Sequence, residues 1–399
     1  MLSVLHLAEF GGYARFIPLL FCLVAIFYYC LAAYSAIAFL SQSTPINPEF
    51  HPPISILKPL CGLDNHTYEN LASFCRQDYP NYQIIFGVQD PNDPVVAVVQ
   101  QIMQDFSAIE MQLVISDQAI GTNLKISNLA NAAIEADHAI LLISDSDIRV
   151  GSDYLIKVVQ PLCNPSVGVV TCMYRSQVQG WTAAFEALGI STELAPTTLV
   201  SRTLSGMNFG IGATIAIRRS VLNAIGGFQA VANYLHDDFH LGRMPFDAGY
   251  QVVLSHYVVN HGLDTNRFSD LIQHQTRWNR GIRVCQPWGY AGQIFTFGTV
   301  TSLLFLLTTQ ASQLGWIVLS VTWLFRLTMA WIVGVNVLND PTVKKLFWLV
   351  PLSDLMRFAL WCYGFVGDRI EWRGRHLKLT KEGKLIDLSS KPMAEVNLA

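Results

Sequence analysis

The chain has 399 residues, of which 51 % are hydrophobic and only 14 % charged, against about 25 % charged in a typical soluble domain. That imbalance excludes an ordinary soluble protein, and a formal net charge of −3 with no basic stripe excludes a nucleic-acid partner. Eight cysteines without CxxC spacing exclude a disulfide frame and read as buried free thiols in a reducing compartment.

The apolar excess lies towards the two ends. Phe16 to Leu40 contains no charge, follows Arg15, and as a helix would span roughly 37 Å. It is too long for a signal peptide, and no clean small-residue cleavage site follows it. From about Pro45 to Cys285 the composition is that of a soluble domain, and strands alternate with helices. Pro53–Lys58, Tyr82–Val88, Met111–Ile115 and Ala139–Ser144 read as strands, while Thr67–Cys75, Val95–Phe106 and Leu124–Ala136 carry helical periodicity. Such alternation predicts a mostly parallel sheet with helices on both faces. Ligands bind such sheets at the carboxyl ends of strands, where Lys58, Asp90 and Asp145 fall.

Asp145 and Asp147 are two apart and face the same way if the strand continues. Two buried like charges call for a compensating cation. Asp90 precedes Pro91 and reads either as a turn former or as a ligand. Lys125 lies just beyond Gly121-Thr122-Asn123, a loop able to approach phosphate. Further on come Asp237 and Asp238, one fitting a helix cap and the other a general base. Gly180 to Ile217 is apolar, and reads as a lipid-holding region near Asp238 or as a packed helix pair. His274-Gln275-Thr276-Arg277-Trp278 opens a basic segment, in which Arg277 can neutralise a diphosphate leaving group.

Three candidate membrane segments follow: Ile294–Thr309, Leu314–Leu338 and Leu346–Val366. The first is short for a crossing and reads as re-entrant or interfacial. Arg326 lies in the second, and Asp354 and Arg357, three apart, lie in the third, where they are expected either to pair or to meet a lipid headgroup. The tail carries Arg369, Arg373, Arg375, Lys378, Lys381, Lys384 and Lys391, which favours the cytoplasmic side. The divisions are a membrane anchor over 1–45, a catalytic domain over 46–285, membrane or interfacial helices over 286–367 and a basic tail over 368–399.

Taken together, Ile54-Ser55-Ile56-Leu57-Lys58-Pro59-Leu60, Asp78-Tyr79-Pro80, Gln89-Asp90, Lys125-Ile126-Ser127-Asn128-Leu129, Asp145-Ser146-Asp147, Asp238, Arg277-Trp278 and Trp372-Arg373-Gly374-Arg375 resemble the ceramide glucosyltransferase family. These are inverting, nucleotide-sugar-dependent glycosyltransferases of the GT-A fold. Tyr68-Glu69-Asn70-Leu71 and Val167-Gly168-Val169-Val170-Thr171-Cys172 look closer still to a bacterial branch associated with hopanoid biosynthesis. His274 departs from the Gln or Arg usual in the family, and that branch also tends to carry it.

The resemblance implies an α/β GT-A domain with transmembrane helices at both ends, in a multi-pass protein of the bacterial inner membrane. It implies transfer of glucose or N-acetylglucosamine from a UDP-sugar to a ceramide-like or hopanoid lipid hydroxyl. Lys58, Asp90, Lys125, Asp145, Arg277 and Trp278 would bind the donor. Asp147 would ligate Mg²⁺ or Mn²⁺, and Asp238 would be the base. His274 and Asp237 are open positions. A processive polysaccharide synthase and a lipid-binding protein with a degenerate transferase domain are the competing readings.

Overall fold

A computed structural model describes residues 16–42, 45–263 and 267–388. Arg15 and Lys391, two of the charges used above, lie outside the described residues.

The central sheet has eight strands in the order β3-β2-β1-β4-β7-β6-β8-β5. They are β1 (Ile54–Pro59), β2 (Tyr82–Val88), β3 (Glu110–Ile115), β4 (Ile140–Ile143), β5 (Ile148–Arg149), β6 (Val167–Val178), β7 (Ile215–Arg218) and β8 (Gln251–Leu263). β3, β2, β1 and β4 are parallel, as are β6 and β8. All of β2 and β4 is buried, because strands covered on both faces need continuous apolar runs rather than alternation. β7 enters antiparallel between β4 and β6. The predicted strands and helices up to residue 143 all form, within a residue or two except that the helix from Leu124 ends in a 3-10 turn.

β4 ends at Ile143, so Asp145-Ser146-Asp147 is a turn and not an extension of the strand. The two carboxylates therefore do not project together as strand alternation would have them. β5 then pairs with β8, setting Ile148 opposite His261.

Most of Gly180 to Ile217 is helical, as one run rather than a helix pair. Trp181–Gly189, a wide π turn over Ile190–Leu194 and Ala195–Ser205 form one helical run with a mostly buried face. Its end packs on the Phe16–Ser41 helix, where Tyr28 meets Thr197 at 3.1 Å and Arg202 donates to Gln42 at 2.5 Å.

Two helices, Phe16–Ser41 and Gln313–Val337, are long and apolar enough to cross a membrane, and Pro287–Thr296 with Gly298–Thr308 forms a pair bent by 51°. Leu346–Val366 is not one long helix. It divides into the end of a short helix (Pro341–Leu346), a 3-10 turn and a 15-residue helix (Val350–Gly364). The expected pair of Asp354 with Arg357 does not form. Asp354 binds Arg326, and Arg357 binds Glu193, because longer-range partners meet these side chains in the packed bundle.

Contacts along the bundle give its depth. Near the catalytic domain, His256 meets the Phe39 carbonyl at 2.9 Å, and Arg175 donates to the Leu338 and Asn339 carbonyls. Further out, Cys22 donates to Thr301 and Phe21 stacks on Phe295. Gly298–Thr308 thus runs outward beside the first half of Phe16–Ser41, and Gln313–Val337 returns.

The tail is folded. β9 (Arg369–Trp372), β10 (Arg375–Leu379) and β11 (Leu385–Asp387) make an antiparallel sheet. It docks on the catalytic domain through Leu385 N to Asn233 O at 2.7 Å and Leu235 N to Gly383 O at 3.1 Å. All eight cysteines are free, but only Cys22, Cys75 and Cys172 are buried, so the expectation of buried thiols does not hold for the others.

Candidate active site

Residues from several segments meet around the carboxyl ends of β1 and β4. Asn123 caps the helix Leu124–Ala132 by accepting from Ile126 N at 3.2 Å. The cap fixes Lys125 in the helix's first turn. Its ammonium lies 2.7 Å from Asp145 Oδ1 and 3.2 Å from Asp237 Oδ2. Burial alone would weaken this cation, but Asp145, Asp237 and Asp238 together hold its pKa above the ordinary lysine value. Burial raises the Asp145 pKa against the pull of Lys125, with Asp147 adding to the rise.

Asp237 and Asp238 open the helix Asp237–Asp247, in which His236 holds the cap position and no side chain caps the end. Asp237 is therefore not the cap that its place in the sequence suggested. It is buried, accepts from Asn123 Nδ2 at 3.3 Å and faces Lys125. Burial pushes its pKa up to about 6. Asp238 points the other way. Oδ2 accepts from Gly212 N at 2.9 Å, and Oδ1 from Phe239 N at 2.8 Å. Gly212 separates two acids: a Cβ there would lie 3.1 Å from Asp145 Oδ2 and 3.2 Å from Asp238 Oδ2. The glycine thus lets both carboxylates converge on one space.

Asp147 turns to His261, 3.3 Å away. Burial raises and His261 lowers the Asp147 pKa; the net direction is down, with Lys58 also lowering it. Its other oxygen, Oδ1, is buried without a hydrogen-bond partner. Among the described residues no group of three or more His, Cys, Asp or Glu is arranged to hold a metal. A hard cation needs fewer where phosphate oxygens complete its shell. The orphan Asp147 Oδ1 and Asp145 Oδ2 are oxygen donors of the required kind.

Lys58 does not reach the cleft surface. It is fully buried, donates to the Asp145 carbonyl at 2.5 Å and to Ser144 at 3.4 Å, and lies 4.0 Å from the Phe74 ring centre. Burial pulls its pKa down to about 7. Its place is beneath the Asp145 turn. Asp90 is exposed beyond β2 in an Asx turn, accepting from Asn92 N at 2.8 Å.

Arg277 and Trp278 lie on the helix Phe268–Cys285. No carboxylate pairs with Arg277 among the described residues, and its guanidinium sits 5.4 Å from the Trp372 ring centre. Burial, with the charge of Arg373, draws its pKa down to about 10. His274 packs on Trp278 with ring centres 4.8 Å apart and hydrogen-bonds Glu186. Gln275 also donates to Glu186, at 2.9 Å.

The structure brings Lys125, Asp145, Asp147, Asp237 and Asp238 into one cleft. Sequence reading missed His261 and Glu186, and it took Asn123 as part of a phosphate-approaching loop rather than as the cap that sets Lys125. His261 had a weak signal, a polar Asn260-His261 pair ending an apolar strand. Glu186, an acid inside an apolar run, was equally visible.

Comparison with known proteins gives the chain's relatives and its fold. The chain is 27 % identical over 229 residues to ceramide glucosyltransferase 3 of Caenorhabditis elegans, covering 57 % of this chain and 50 % of that one. It is 27 % identical over 206 residues to ceramide glucosyltransferase 1 of the same organism, covering 51 % and 44 %. The chain spans about half the length of these relatives. Among solved structures, a mannosyltransferase from Pyrobaculum calidifontis, in complex with GDP-mannose and Mn²⁺, superposes with a TM-score of 0.53 at 16 % identity. The superposition covers 88 % of this chain and 96 % of that one. The fold is the GT-A type. The glycosyl transferase family 21 model matches residues 17–385, and the protein belongs to that family.

Proposed function

We propose that the protein is a membrane-bound, inverting glycosyltransferase that moves a sugar from a UDP-sugar to a lipid hydroxyl. The observation that carries this reading is the convergence of Asp145 Oδ2 and Asp238 Oδ2 on the space beside Gly212. One acid is tied to Lys125 and the other is oriented by two backbone N–H groups.

Asp238 serves as the general base. It takes the proton of the acceptor hydroxyl as that oxygen attacks the anomeric carbon and the bond to UDP breaks. A single displacement needs alignment, a base and charge stabilisation at the leaving group, and no carboxylate nucleophile. Lys125 and Arg277 supply positive charge for the diphosphate, Asp90 meets the uracil and ribose side, and Trp278 lines the acceptor entrance. Asp147 would hold Mg²⁺ or Mn²⁺, which when bound neutralises diphosphate oxygens, and Asp145 lies at the sugar diphosphate. Lys58 supports the site from beneath by holding the Asp145 carbonyl.

The catalytic domain and the β9–β11 sheet share the cytoplasmic side, where UDP-sugars are found. The bent pair at 287–308 crosses outward and Gln313–Val337 crosses back. The segment that stays on the near side is then Val350–Gly364, and not Ile294–Thr309. The lipid acceptor is supported by the bundle packed directly against the site and by the ceramide glucosyltransferase relatives.

The test is incubation of detergent-solubilised protein with radiolabelled UDP-sugars and a lipid extract. Release of UDP with a single sugar added to lipid is expected. A growing polymer would turn the reading to a processive synthase. No transfer to any lipid would remove it.

A further inference from the structure

The C-terminal sheet sits on the donor cleft and aims one arginine into it. β9 and β10 are joined by a two-residue turn in which Arg373 has φ 49° and Gly374 φ 75°. Tight hairpins with both central residues at positive φ match the strand twist, but a non-glycine residue adopts that conformation reluctantly. The turn is held at three points. Arg375 donates to the Thr122 carbonyl at 3.2 Å and pairs with Asp387 at 2.5 Å. The Trp372 ring faces the Arg277 guanidinium. Arg373 Nη2 lies 3.5 Å from Asp64 Oδ1.

Asp64 connects this arginine to the catalytic turn. Its Oδ2 accepts from Ser146 Oγ at 2.6 Å, and Ser146 stands between Asp145 and Asp147. Arg373 is therefore tethered, through Asp64 and Ser146, to the turn that carries both carboxylates, and its side chain is half exposed. Arg277 lies against the ring of Trp372, the residue before Arg373, which brings the two positive charges near enough to oppose each other. Two guanidiniums held near one space are unfavourable until an anion fills it, and a diphosphate offers oxygens to both forks at once.

We infer that Arg373, delivered by the C-terminal hairpin, is a donor-binding residue that grips the nucleoside diphosphate together with Arg277. This rests on the cleft being the nucleotide-sugar site. The hairpin closes the donor pocket from the far end of the chain.

The test uses the full-length protein in detergent, with UDP as the probe and thermal melting as the readout. Arg373→Asn keeps a residue that tolerates left-handed backbone, and Arg373→Lys keeps the charge without the fork. Without nucleotide, both variants should melt with wild type. The UDP concentration giving half-maximal stabilisation should rise by about tenfold to a hundredfold for Arg373→Asn, as expected when a charge-assisted hydrogen bond is lost, and by less for Arg373→Lys. An unchanged UDP midpoint overturns the inference. So does a nucleotide-free melting temperature that falls in both variants along with UDP affinity, since that marks Arg373 as a strut of the hairpin. Wild-type protein that UDP does not stabilise overturns the donor reading itself, and this inference with it.

Discussion

Arg326 and Asp354 form a two-point ion pair inside the helix bundle, with Nη2 to Oδ1 at 2.7 Å and Nε to Oδ2 at 3.1 Å. Their side chains are 4 % and 5 % exposed. Thr299 donates to Asp354 at 2.6 Å, and Arg326 donates to Thr192 at 3.2 Å. One residue along from Thr192, Glu193 takes Arg357, which reaches Gln275 at 3.5 Å, and Gln275 meets Glu186 beside His274. A buried polar path thus joins the bundle to the segment bearing Arg277 and Trp278. Gly189 leaves room for it, since a Cβ there would stand 2.0 Å from Arg357 Nη1.

Removing one partner of such a pair leaves an uncompensated buried charge, typically at a cost of about 3–5 kcal/mol. Asp354→Ala should therefore lower the melting temperature in detergent sharply. Arg326→Met with Asp354→Leu should recover most of the loss, because no charge remains to strand. Equal destabilisation by the single and double variants would show that the pair contributes packing and not charge compensation.

The two adjacent aspartates should separate by phenotype. Asp238→Asn should reduce transfer by about 10²–10⁴-fold, the usual effect of losing a positioned base, and leave UDP affinity near wild type. Asp237→Asn should retain more activity and lose stability, because it removes a buried counter-charge of Lys125. Transfer rates, UDP binding and melting curves on the two variants decide this. An active Asp238→Asn protein would reverse the assignment.

A divalent cation should be required, and excess EDTA should stop transfer. Asp147→Ala should raise the cation concentration needed for half-maximal rate, since it removes an oxygen donor that has no other partner. Rates titrated with Mg²⁺ and Mn²⁺ give the comparison. Full activity in EDTA would take the metal out of the mechanism.

Acid should loosen the helix that carries Asp238. Burial pushes His240 down to about 4, against a partial pull from Asp238, and His236 also lies below its ordinary value because of burial. Both rings leave Nε2 buried without a partner. Between the unfolded value of about 6.5 and the folded value, the unfolded chain binds more protons. Stability therefore rises with pH across that window and is lost on acidification. Wild-type protein should lose more melting temperature from pH 7 to pH 5 than His240→Gln does. Parallel losses would assign the acid sensitivity elsewhere.

Much of the catalytic fold was legible because its parallel strands are continuous apolar runs ended by Pro, Asp or Ser. Lys125, Asp145 and Asp147 stood out at strand and helix ends for the same reason. What remained hidden depends on distant parts of the chain. Nothing near Asp238 announces that β7 inserts beside β4 and that the turn before it sets Gly212 between two acids. His261 reaches Asp147 only through the β5–β8 register. Glu193 and Arg326 find their partners 164 and 28 positions away, and the three-residue spacing of Asp354 and Arg357 pointed to the wrong pairing. The β9–β11 strands are short and rich in charge, so they read as a tail.

The β9–β11 sheet is bonded to the catalytic domain, so an even number of crossings separates Cys285 from Arg369. The proposed topology gives these to the bent pair at 287–308 and to Gln313–Val337, joined by a turn at the far face. Single cysteines at Gln313 and at Glu382, in a variant lacking the native eight, report the two sides. Gln313 is exposed at the start of its helix, and the Glu382 side chain is 75 % exposed in the β10–β11 turn. A membrane-impermeant maleimide should label Gln313→Cys in intact cells and Glu382→Cys only after lysis. Protection of both would mean that the 287–308 segment re-enters without crossing, as its length alone suggests. Labelling of Glu382→Cys in intact cells would put the hairpin outside, and with it Arg373 and any role for the C-terminal sheet in closing the donor pocket.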